Sequence, residues 1–458
     1  MKLFTPLIPL VAALVLAGCA NVATPESHAL PATPLAFKGA QAPQAPAIQA
    51  QWWKTFGDAQ LDALTEQALA HNTQIQQAAA RLNESRALFR AAGSQQWPQI
   101  GLNGGAGRQT GQAARAENVY GTLYAANVSL SYEVDLIGRI SDAKKAAALD
   151  ARQSEALLQG TRLLIQAQVA QTYFALRALE AEQGLVRETV AAYRETLSLT
   201  ERRYSGGDVS ELDVARVRTE VSATESAAID LDRRRAELEH ALAVLTGAPA
   251  SNFAVAAGTW GEVLPLVPAG VPSEVLTRRP DVVAAQAGWQ AAQKRVDVAQ
   301  KAWFPSFSLT AAAGGSSPEL SSLFKTAGGL FGVQALASLP IFDGGRRVAG
   351  VESAAAHADG ASAAYRERIL VAFQDVEDQL SALQLLGQQA GVQQQAVASA
   401  VRATKLSDSR YRNGLVSQLE LLDARRSELA LRREALQIRA AQYQATVSLI
   451  KALGGGWA

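Results

Sequence analysis

The side chains best suited to catalysis or metal binding are few in this sequence, and they are scattered. The histidines stand far apart without metal-ligand spacing; they are His28, His71, His240 and His357. Cys19 is the single cysteine, which excludes a disulfide framework and any cysteine-rich metal module. The chain contains no phosphate loop ending in Gly-Lys-Ser/Thr and no Gly-x-Ser-x-Gly nucleophile motif. We therefore expect neither an enzyme nor a bound metal or cofactor.

The composition points away from nucleic acids and toward long helices. The 458 residues include 43 basic and 42 acidic side chains, for a net charge of +1. Binding to a phosphate backbone needs clustered excess cations, so no nucleic-acid partner is expected. Aromatic residues make up only 6% of the chain, whereas alanine and glutamine are abundant. This composition suits long helices that pack closely through small side chains.

The amino terminus has the pattern of an export signal. Lys2 precedes an apolar stretch from Leu3 to Val15, which is interrupted by prolines and too short to span a membrane. The stretch ends in Leu16-Ala17-Gly18-Cys19, which resembles the cleavage box of bacterial lipoproteins. The resemblance implies removal of residues 1–18 and attachment of lipid to the cysteine. Ala20 follows in place of an aspartate that would favour inner-membrane retention; a plain secretory peptide is the alternative.

The rest of the chain contains an internal duplication with a constant offset of 207 residues. The segment 203–213, which begins Arg-Tyr-Ser-Gly-Gly, recurs at 410–420, which begins Arg-Tyr-Arg-Asn-Gly. The same offset relates Trp97-Pro98 to Phe304-Pro305, Gly138-Arg139 to Gly345-Arg346, Arg218 to Arg425, and Gly247 to Gly454. Matches in one register over so long a stretch predict two structural copies of one unit.

Each copy is predicted to contain two long helices joined by a tight turn. Apolar and small residues recur every three or four positions from Leu163 to Leu199, the spacing of one helix face. The pattern predicts a helix from Ser141 to Tyr204, a turn near 205–210 and a second helix. Ser210 and Asp213 have the spacing of a capping box, and the second copy has its turn near 412–417. Each copy therefore contains an antiparallel helical hairpin.

Strand-like segments precede each hairpin. Alternating apolar and polar residues predict strands around 100–107, 128–134, 307–311 and 334–341. Two strands per copy give four per chain, too few to close a barrel with a usable lumen. Three chains would supply twelve, an even number as in bacterial outer-membrane barrels. The count favours a trimer, and a soluble four-stranded sheet is the alternative.

A series of short motifs runs through both copies. They are Trp52-Trp53-Lys54-Thr55-Phe56, Asn72, Trp97-Pro98, Tyr132-Glu133-Val134-Asp135-Leu136-Ile137-Gly138-Arg139, Arg278-Arg279-Pro280-Asp281-Val282, Phe304-Pro305 and Leu339-Pro340-Ile341-Phe342-Asp343-Gly344-Gly345-Arg346. With the two Tyr-x-x-Gly turns, their order and spacing resemble the TolC-type outer-membrane efflux factors, in particular the lipoprotein (NodT-like) branch. The resemblance covers nearly the whole mature chain.

This resemblance implies an α+β membrane protein that assembles as a trimer. Twelve strands would form a β-barrel in the outer membrane, and twelve helices a periplasmic α-barrel girdled by equatorial segments. The divisions expected along the chain are a lipid-anchored tether at 19–50, a first repeat at 51–248, an equatorial linker at 249–275 and a second repeat at 276–458.

The function implied is passive conduction of small molecules out of the cell. The partners implied are two further copies of the chain, outer-membrane lipid, a periplasmic adaptor and an inner-membrane pump of the RND type, which supplies the energy. Because selection belongs mainly to the pump, the cargo is not indicated. A lipid-anchored periplasmic coiled-coil scaffold is the alternative, although it would leave the paired strands unused.

The resemblance also assigns residues to a periplasmic aperture. In the family an acidic residue just after the second turn lines the aperture, and a leucine nearby narrows it. The matching positions are Leu419, Glu420 and Asp423, with Arg426 as an ion-pair partner, and the first-copy counterparts are Asp213 and Arg216. A salt bridge from Arg216 to a neighbouring acid is expected to hold the turns closed. Ordinary solvated helix charges are the alternative reading of Glu420 and Asp423.

The exposed edges of the turns match the adaptor-docking tips of the family. They comprise Gly207, Asp208, Val209, Ser210, Gly414, Leu415, Val416 and Ser417. Apolar side chains such as Leu415 are unusual in a tight turn that faces only water. We therefore expect these edges to contact the adaptor, with helix capping alone as the alternative.

Overall fold

A computed structural model describes residues 31–38, 51–109, 121–258, 260, 264–267, 272–323, 325 and 329–456. The predicted signal, Cys19 and most of the predicted tether lie outside these residues. Among the helices so described, none is both long and apolar enough to cross a membrane.

The elements follow one another in two similar series. The first contains α1 (Ala59–His71), α2 (Thr73–Ser94), β1 (Gln99–Gln109), β2 (Gly121–Val134), α3 (Arg139–Ser205) and α4 (Glu211–Leu245). The second contains α5 (Pro272–Arg278), α6 (Pro280–Lys301), β3 (Ser306–Ser317), β4 (Gly329–Ser338), α7 (Arg346–Arg412) and α8 (Gln418–Ala452). A short 3-10 helix, Trp52–Phe56, precedes α1.

The boundaries of these elements repeat with the offset of 207 residues found in the sequence. Helices α2 and α6, α3 and α7, and α4 and α8 begin and end at equivalent positions. The duplicated unit is thereby confirmed. The fourth strand differs from its prediction at 334–341: it begins earlier and ends at Ser338, before Pro340, which has no N–H to donate to a ladder. Helix α5 begins at Pro272, inside the segment assigned to the linker.

The long helices form the antiparallel hairpins that the periodicity predicts. The predicted stripe on α3, from Leu163 to Leu199, is buried or half-buried throughout. Ion pairs between α3 and α4 run in opposite directions along the two helices, from Arg218 with Glu201 at 2.9 Å to Arg187 with Asp232 at 2.7 Å. In the second hairpin Thr404 donates to the Ala424 carbonyl at 3.1 Å, and Gln393 donates to the Leu431 carbonyl at 2.9 Å.

Both hairpins reverse at a glycine in the left-handed conformation, which an L side chain adopts only at a cost. The φ angle is 81° at Gly207 and 73° at Gly414. The helix that follows is capped differently in the two copies. The Asp213 carboxylate accepts hydrogen bonds from the Ser210 N–H at 3.1 Å and hydroxyl at 2.7 Å, as the predicted capping box requires. At the equivalent place Ser417 makes no side-chain capping bond to the described residues.

The four strands form one antiparallel sheet in the order β1-β2-β3-β4, and its two faces differ in polarity. One row across the sheet is apolar and consists of Leu102, Val128, Ala313 and Phe331. A row on the opposite face is polar and consists of Gln99, Ser131, Thr310 and Gln334. Such alternation is typical of strands that separate an apolar environment from water.

The described residues divide into two units. One comprises Ala80–Glu155 and Ala284–Glu367; it holds the sheet, and its helices pack through Ala292, Val296 and Ala358. The other comprises Pro31–Ala79, Ala156–Val283 and Arg368–Ala458. It holds both hairpin turns and an aromatic core formed by Trp52, Trp53, Phe56, Phe174 and Tyr443.

Candidate functional site at the hairpin turns

The turns of the two hairpins, residues 206–210 and 413–417, lie side by side. The Arg203 guanidinium donates to the backbone carbonyls of Tyr411 at 3.1 Å and Arg412 at 3.2 Å. From the other hairpin, the Gln418 side-chain amide donates to the Asp213 carbonyl at 3.1 Å. Val209 and Val416 line the groove between the turns. The structure therefore brings together the two edges that the sequence analysis assigned to docking.

Tyr411 anchors this junction from the inside. Its side chain is 2% exposed, and its hydroxyl forms a hydrogen bond with the Thr200 hydroxyl at 3.0 Å. The Arg203 guanidinium lies 4.7 Å from the centre of its ring, within the range of a cation–π contact. The tyrosine of the second Tyr-x-x-Gly motif thus binds the end of the first hairpin, a role that the motif alone did not indicate.

Arg425 joins α8 to α3 through a largely buried guanidinium. Its guanidinium donates to the Ala192 carbonyl at 2.6 Å, the Thr196 hydroxyl at 2.7 Å and the Asp408 carboxylate at 2.8 Å. The side chain is only 10% exposed. Hydrogen bonds of a buried charged donor are among the stronger polar contacts in a protein. The repeated arginines at 218 and 425 were the only sequence signal for this residue.

Arg412 adds a second connection between the same two hairpins. It pairs with Glu195 on α3 at 2.8 Å and with Asp408 on its own helix at 2.7 Å. Asp408 therefore accepts from both Arg412 and Arg425. The three residues form a chain of charge-assisted hydrogen bonds that ends on α3.

Within the described chain Arg426 forms its ion pair with Glu220, and of the two acids named with it only Asp423 also acts on its charge. The ion pair with Glu220 on α4 is bidentate, with 3.0 Å between Nε and the carboxylate. Adjacent to this pair, Tyr193 packs with Val217, Val221 and Leu422 in a buried apolar cluster. Burial and the negative charge of Glu220 raise the pKa of Tyr193 to about 12, so the phenol is neutral at physiological pH. Arg426 is thus used to hold α8 against α4.

The first turn of α8 has one buried and one exposed face. Leu421 and Leu422 point into the core, whereas Leu419 is 54% exposed and Glu420 and Asp423 are exposed beside it. Among the described residues no cation pairs with Glu420, and the nearby Arg426 feels the charge of Asp423 while it pairs with Glu220. The leucine and both acids assigned to the aperture therefore share one free surface of this chain.

Arg216 does not connect the hairpins, contrary to expectation. Its nearest acidic partner is Asp213 at 3.9 Å, one turn back on the same helix. Both side chains are partly exposed, and such a pair contributes little to stability. The bonds between the hairpins come from Gln418 and from other arginines, namely Arg203, Arg412, Arg425 and Arg426.

The docking residues differ in how far they stand out from the surface. Leu415 is 68% exposed, and Val209 and Val416 are half-buried. The remaining members are exposed: Gly207, Asp208, Ser210, Gly414 and Ser417. No group of three or more histidine, cysteine, aspartate or glutamate side chains in the described part of the chain could hold a metal ion. The surface of the turns thus exposes both apolar and charged side chains, such as Leu415 and Asp208.

Comparison with known proteins places this architecture in one family. The model of the family described as "Outer membrane efflux protein" matches residues 64–248 and 271–455, one match in each copy. The pyoverdine export outer membrane protein OpmQ of Pseudomonas aeruginosa is 33% identical over 97% of this chain and 96% of its own. The cation efflux system protein CusC of Escherichia coli is 31% identical over 98% of both chains.

Solved structures give the same result. The outer-membrane channel OprN superposes with a TM-score of 0.88 at 26% identity, covering 95% of this chain and 99% of its own. Strands, hairpins and turns are thus shared over nearly the full length. The chain belongs to the outer membrane efflux protein family, and it is the outer-membrane channel of an efflux system.

Proposed function

We propose that three copies of the chain form the exit duct of a tripartite export system, with the hairpin turns as its periplasmic entrance. The observation that carries this proposal is the pairing of both turns in one groove beside an exposed acidic surface on α8. A threefold arrangement would repeat Leu419, Glu420 and Asp423 as rings around a common axis. Energy would come from an inner-membrane pump of the RND type, reached through a periplasmic adaptor.

The acidic surface supports a cation-attracting aperture. A ring of carboxylates without cationic partners creates a negative potential at a constriction, and it draws cations while repelling anions. Like charges held close together also oppose closure, so a closed ring needs cations or protonation. The cross-hairpin arginines would supply the attraction that keeps the turns together.

Neutralising both acids is expected to lower the cation preference of the channel. In a planar bilayer the wild-type chain should give stepwise currents, whereas a scaffold protein would give none. With Glu420→Gln and Asp423→Asn together, we expect the reversal potential in a KCl gradient to fall by about half, because six fixed negative charges leave the trimer. Asp230→Asn is the control, since that exposed acid already pairs with Arg233 at 2.6 Å. An unchanged reversal potential in the double variant would remove these acids from the aperture.

The edges of the turns are proposed to dock the adaptor. Val209 and Val416 are half-buried in the shared groove and Leu415 stands out beside it, which presents an apolar surface with a charged rim. Arg203 and Asp213 belong to that rim. A partner segment with small apolar residues and mixed charges would complement it.

Placing acids in this groove is expected to abolish docking. Val209→Asp with Val416→Asp should reduce adaptor crosslinking about tenfold or more, because charged groups would be buried without partners. The matched control is Val244→Asp, near the other end of α4, where the side chain is 71% exposed. Equal crosslinking by the double variant and wild type would show that the adaptor binds elsewhere.

We also propose that Cys19 carries the lipid anchor, although it lies outside the described residues. The support is its position directly after the Leu-Ala-Gly box at the end of an apolar segment. The mass of the mature amino-terminal peptide tests this, since an unmodified cysteine would contradict it.

The cargo is not assigned. OpmQ is named for pyoverdine export and CusC for cation efflux, yet both resemble this chain to nearly the same degree. Similar channels therefore serve chemically different cargoes.

A further inference from the structure

Arg346, the first residue of α7, has a cationic side chain without an internal partner. It is exposed, and its guanidinium makes no ion pair or hydrogen bond with any described residue. The neighbouring Arg347 differs in both respects: it pairs with Asp343 at 2.7 Å and lies 4.5 Å from the Trp303 ring. Of two adjacent arginines, only one is thus used within the chain.

The first copy shows what Arg346 lacks. Its equivalent, Arg139, pairs with Glu133 at 2.6 Å, but the position of Glu133 in the second copy is occupied by Pro340. The residues three and four positions further along α7 are alanine and glycine, so no acid is in helical register either. A positive charge at a helix amino terminus also opposes the helix dipole. The exposed Arg346 is therefore available to an anion from outside the chain.

The surroundings of Arg346 indicate which kind of anion. Strands β1 and β3 begin, and β2 and β4 end, at the same end of the sheet, where the helices of this unit join the strands. Large apolar side chains at this end of the sheet are exposed; they are Trp97 at 71%, Leu136 at 65%, Phe304 at 54%, Ile341 at 92% and Phe342 at 90%. We call these five residues the apolar collar. Each of them lies within four residues of the end of a strand.

We propose that Arg346 and the adjoining part of the apolar collar bind an anionic phospholipid. The phosphate pairs with the Arg346 guanidinium, and the acyl chains contact Ile341 and Phe342. Guanidinium groups match phosphate oxygens in charge and geometry, and amphipathic aromatic and basic residues settle at the boundary between headgroups and acyl chains. The site lies at the end of the sheet where the strands meet the helices. Lipid bound there would fix the depth of the sheet in the outer membrane. It is independent of the aperture and the docking surface.

Native mass spectrometry of the full-length protein tests this site. The delipidated protein in an uncharged detergent is titrated with phosphatidylglycerol, and the dissociation constant of the tightest bound lipid is measured. We expect Arg346→Gln to raise that dissociation constant about fivefold, which is the usual effect of losing one basic residue at an anionic lipid surface. Arg346→Lys should retain most of the affinity because it keeps the charge. Inorganic phosphate should not displace the lipid, since the apolar contacts are part of the site.

Arg366 provides a matched control on the same helix. It is exposed, lacks an internal partner among the described residues, and lies about 30 Å along α7 from Arg346. Arg366→Gln should bind the lipid as the wild type does. Equal affinity for Arg346→Gln and wild type, or equal weakening by both glutamine variants, would overturn the proposal. The proposal would also be overturned if Arg346→Gln weakened the trimer and left lipid binding unchanged. The partner of Arg346 would then be a carboxylate of another copy of the chain.

Discussion

Replacing Arg425 with alanine is expected to raise the single-channel conductance several-fold. The substitution removes three hydrogen bonds, two of which join α8 to α3. It also leaves the Ala192 carbonyl and the Asp408 carboxylate without this donor. Removing one partner from a largely buried charged network costs about 3–5 kcal/mol. If the bonds exist only while the turns are together, the equilibrium shifts toward separated turns by about a hundredfold or more.

The first copy of the repeat contains the control. Arg218, the equivalent of Arg425, pairs with Glu201 at 2.9 Å, and this exposed bond stays within one hairpin. Arg218→Ala should therefore leave the conductance unchanged and cost only about 0–1 kcal/mol of stability. Planar-bilayer recordings of the two variants under the same conditions make the comparison. Similar conductance for Arg425→Ala and Arg218→Ala would show that the Arg425 bonds do not hold the entrance closed.

Substituting alanine for Gly247 or Gly454 is expected to destabilise the chain strongly. Both glycines have positive φ, 73° and 93°, at the carboxyl end of the second helix of each hairpin. A Cβ atom on Gly247 would lie 2.6 Å from the His71 carbonyl oxygen, and one on Gly454 would lie 2.9 Å from the Arg278 carbonyl carbon. Because these obstacles are backbone atoms, relief requires that α1 or α5 move. The left-handed conformation costs about 1–2 kcal/mol and the overlap about 1–3 kcal/mol more.

Gly57 separates the two contributions. Its φ is 65°, but no atom of the described residues lies within 4 Å of a Cβ placed there. Gly57→Ala should therefore show only the conformational cost, and Gly247→Ala and Gly454→Ala the larger sum. Thermal unfolding in detergent, followed by tryptophan fluorescence, measures all three variants. Equal loss of stability in the three would mean that the close approach to α1 and α5 is not maintained.

Beside Gly247 and Gly454, a side chain donates a hydrogen bond to a carbonyl near the end of the second helix of the hairpin in each copy, and we call this contact the clasp. In the first copy the Asn72 side-chain amide donates to the Leu245 carbonyl at 2.8 Å, and in the second Arg279 donates to the Ala452 carbonyl at 3.2 Å. Asn72 and Arg279 occupy equivalent positions, as do the two carbonyls. The duplication has thus kept the geometry of the clasp while the donor changed from an amide to a guanidinium.

The hairpins themselves are less alike than their boundaries suggest. Arg203, Arg412, Arg425, Arg426 and Gln418 all make bonds from one hairpin to the other. Four of these five residues belong to the second hairpin. Together these bonds oppose separation of the two hairpins.

The local structure and its repetition could be predicted from the amino-acid sequence. Spacing of apolar residues along α3 predicted a helix at 141–204, and the structure has Arg139–Ser205. The turn glycines and the capping pair Ser210 and Asp213 could also be predicted. Helix periodicity, left-handed glycines and capping all depend on residues that are close in the chain. The constant offset then carried each local prediction from one copy to the other.

The charges that meet across the hairpins became visible from the packing of the helices. The sequence indicated that Arg426 and Arg216 stand near acids in the chain, but it did not indicate that Arg426 pairs with Glu220 on α4 or that the ion pair of Arg216 stays on its own helix. Arg425 was visible only as a repeated residue. Long arginine side chains reach several helices, and the acid or carbonyl they contact depends on how the helices pack and rotate. That information is held in contacts between residues some 200 positions apart, where no local pattern records it.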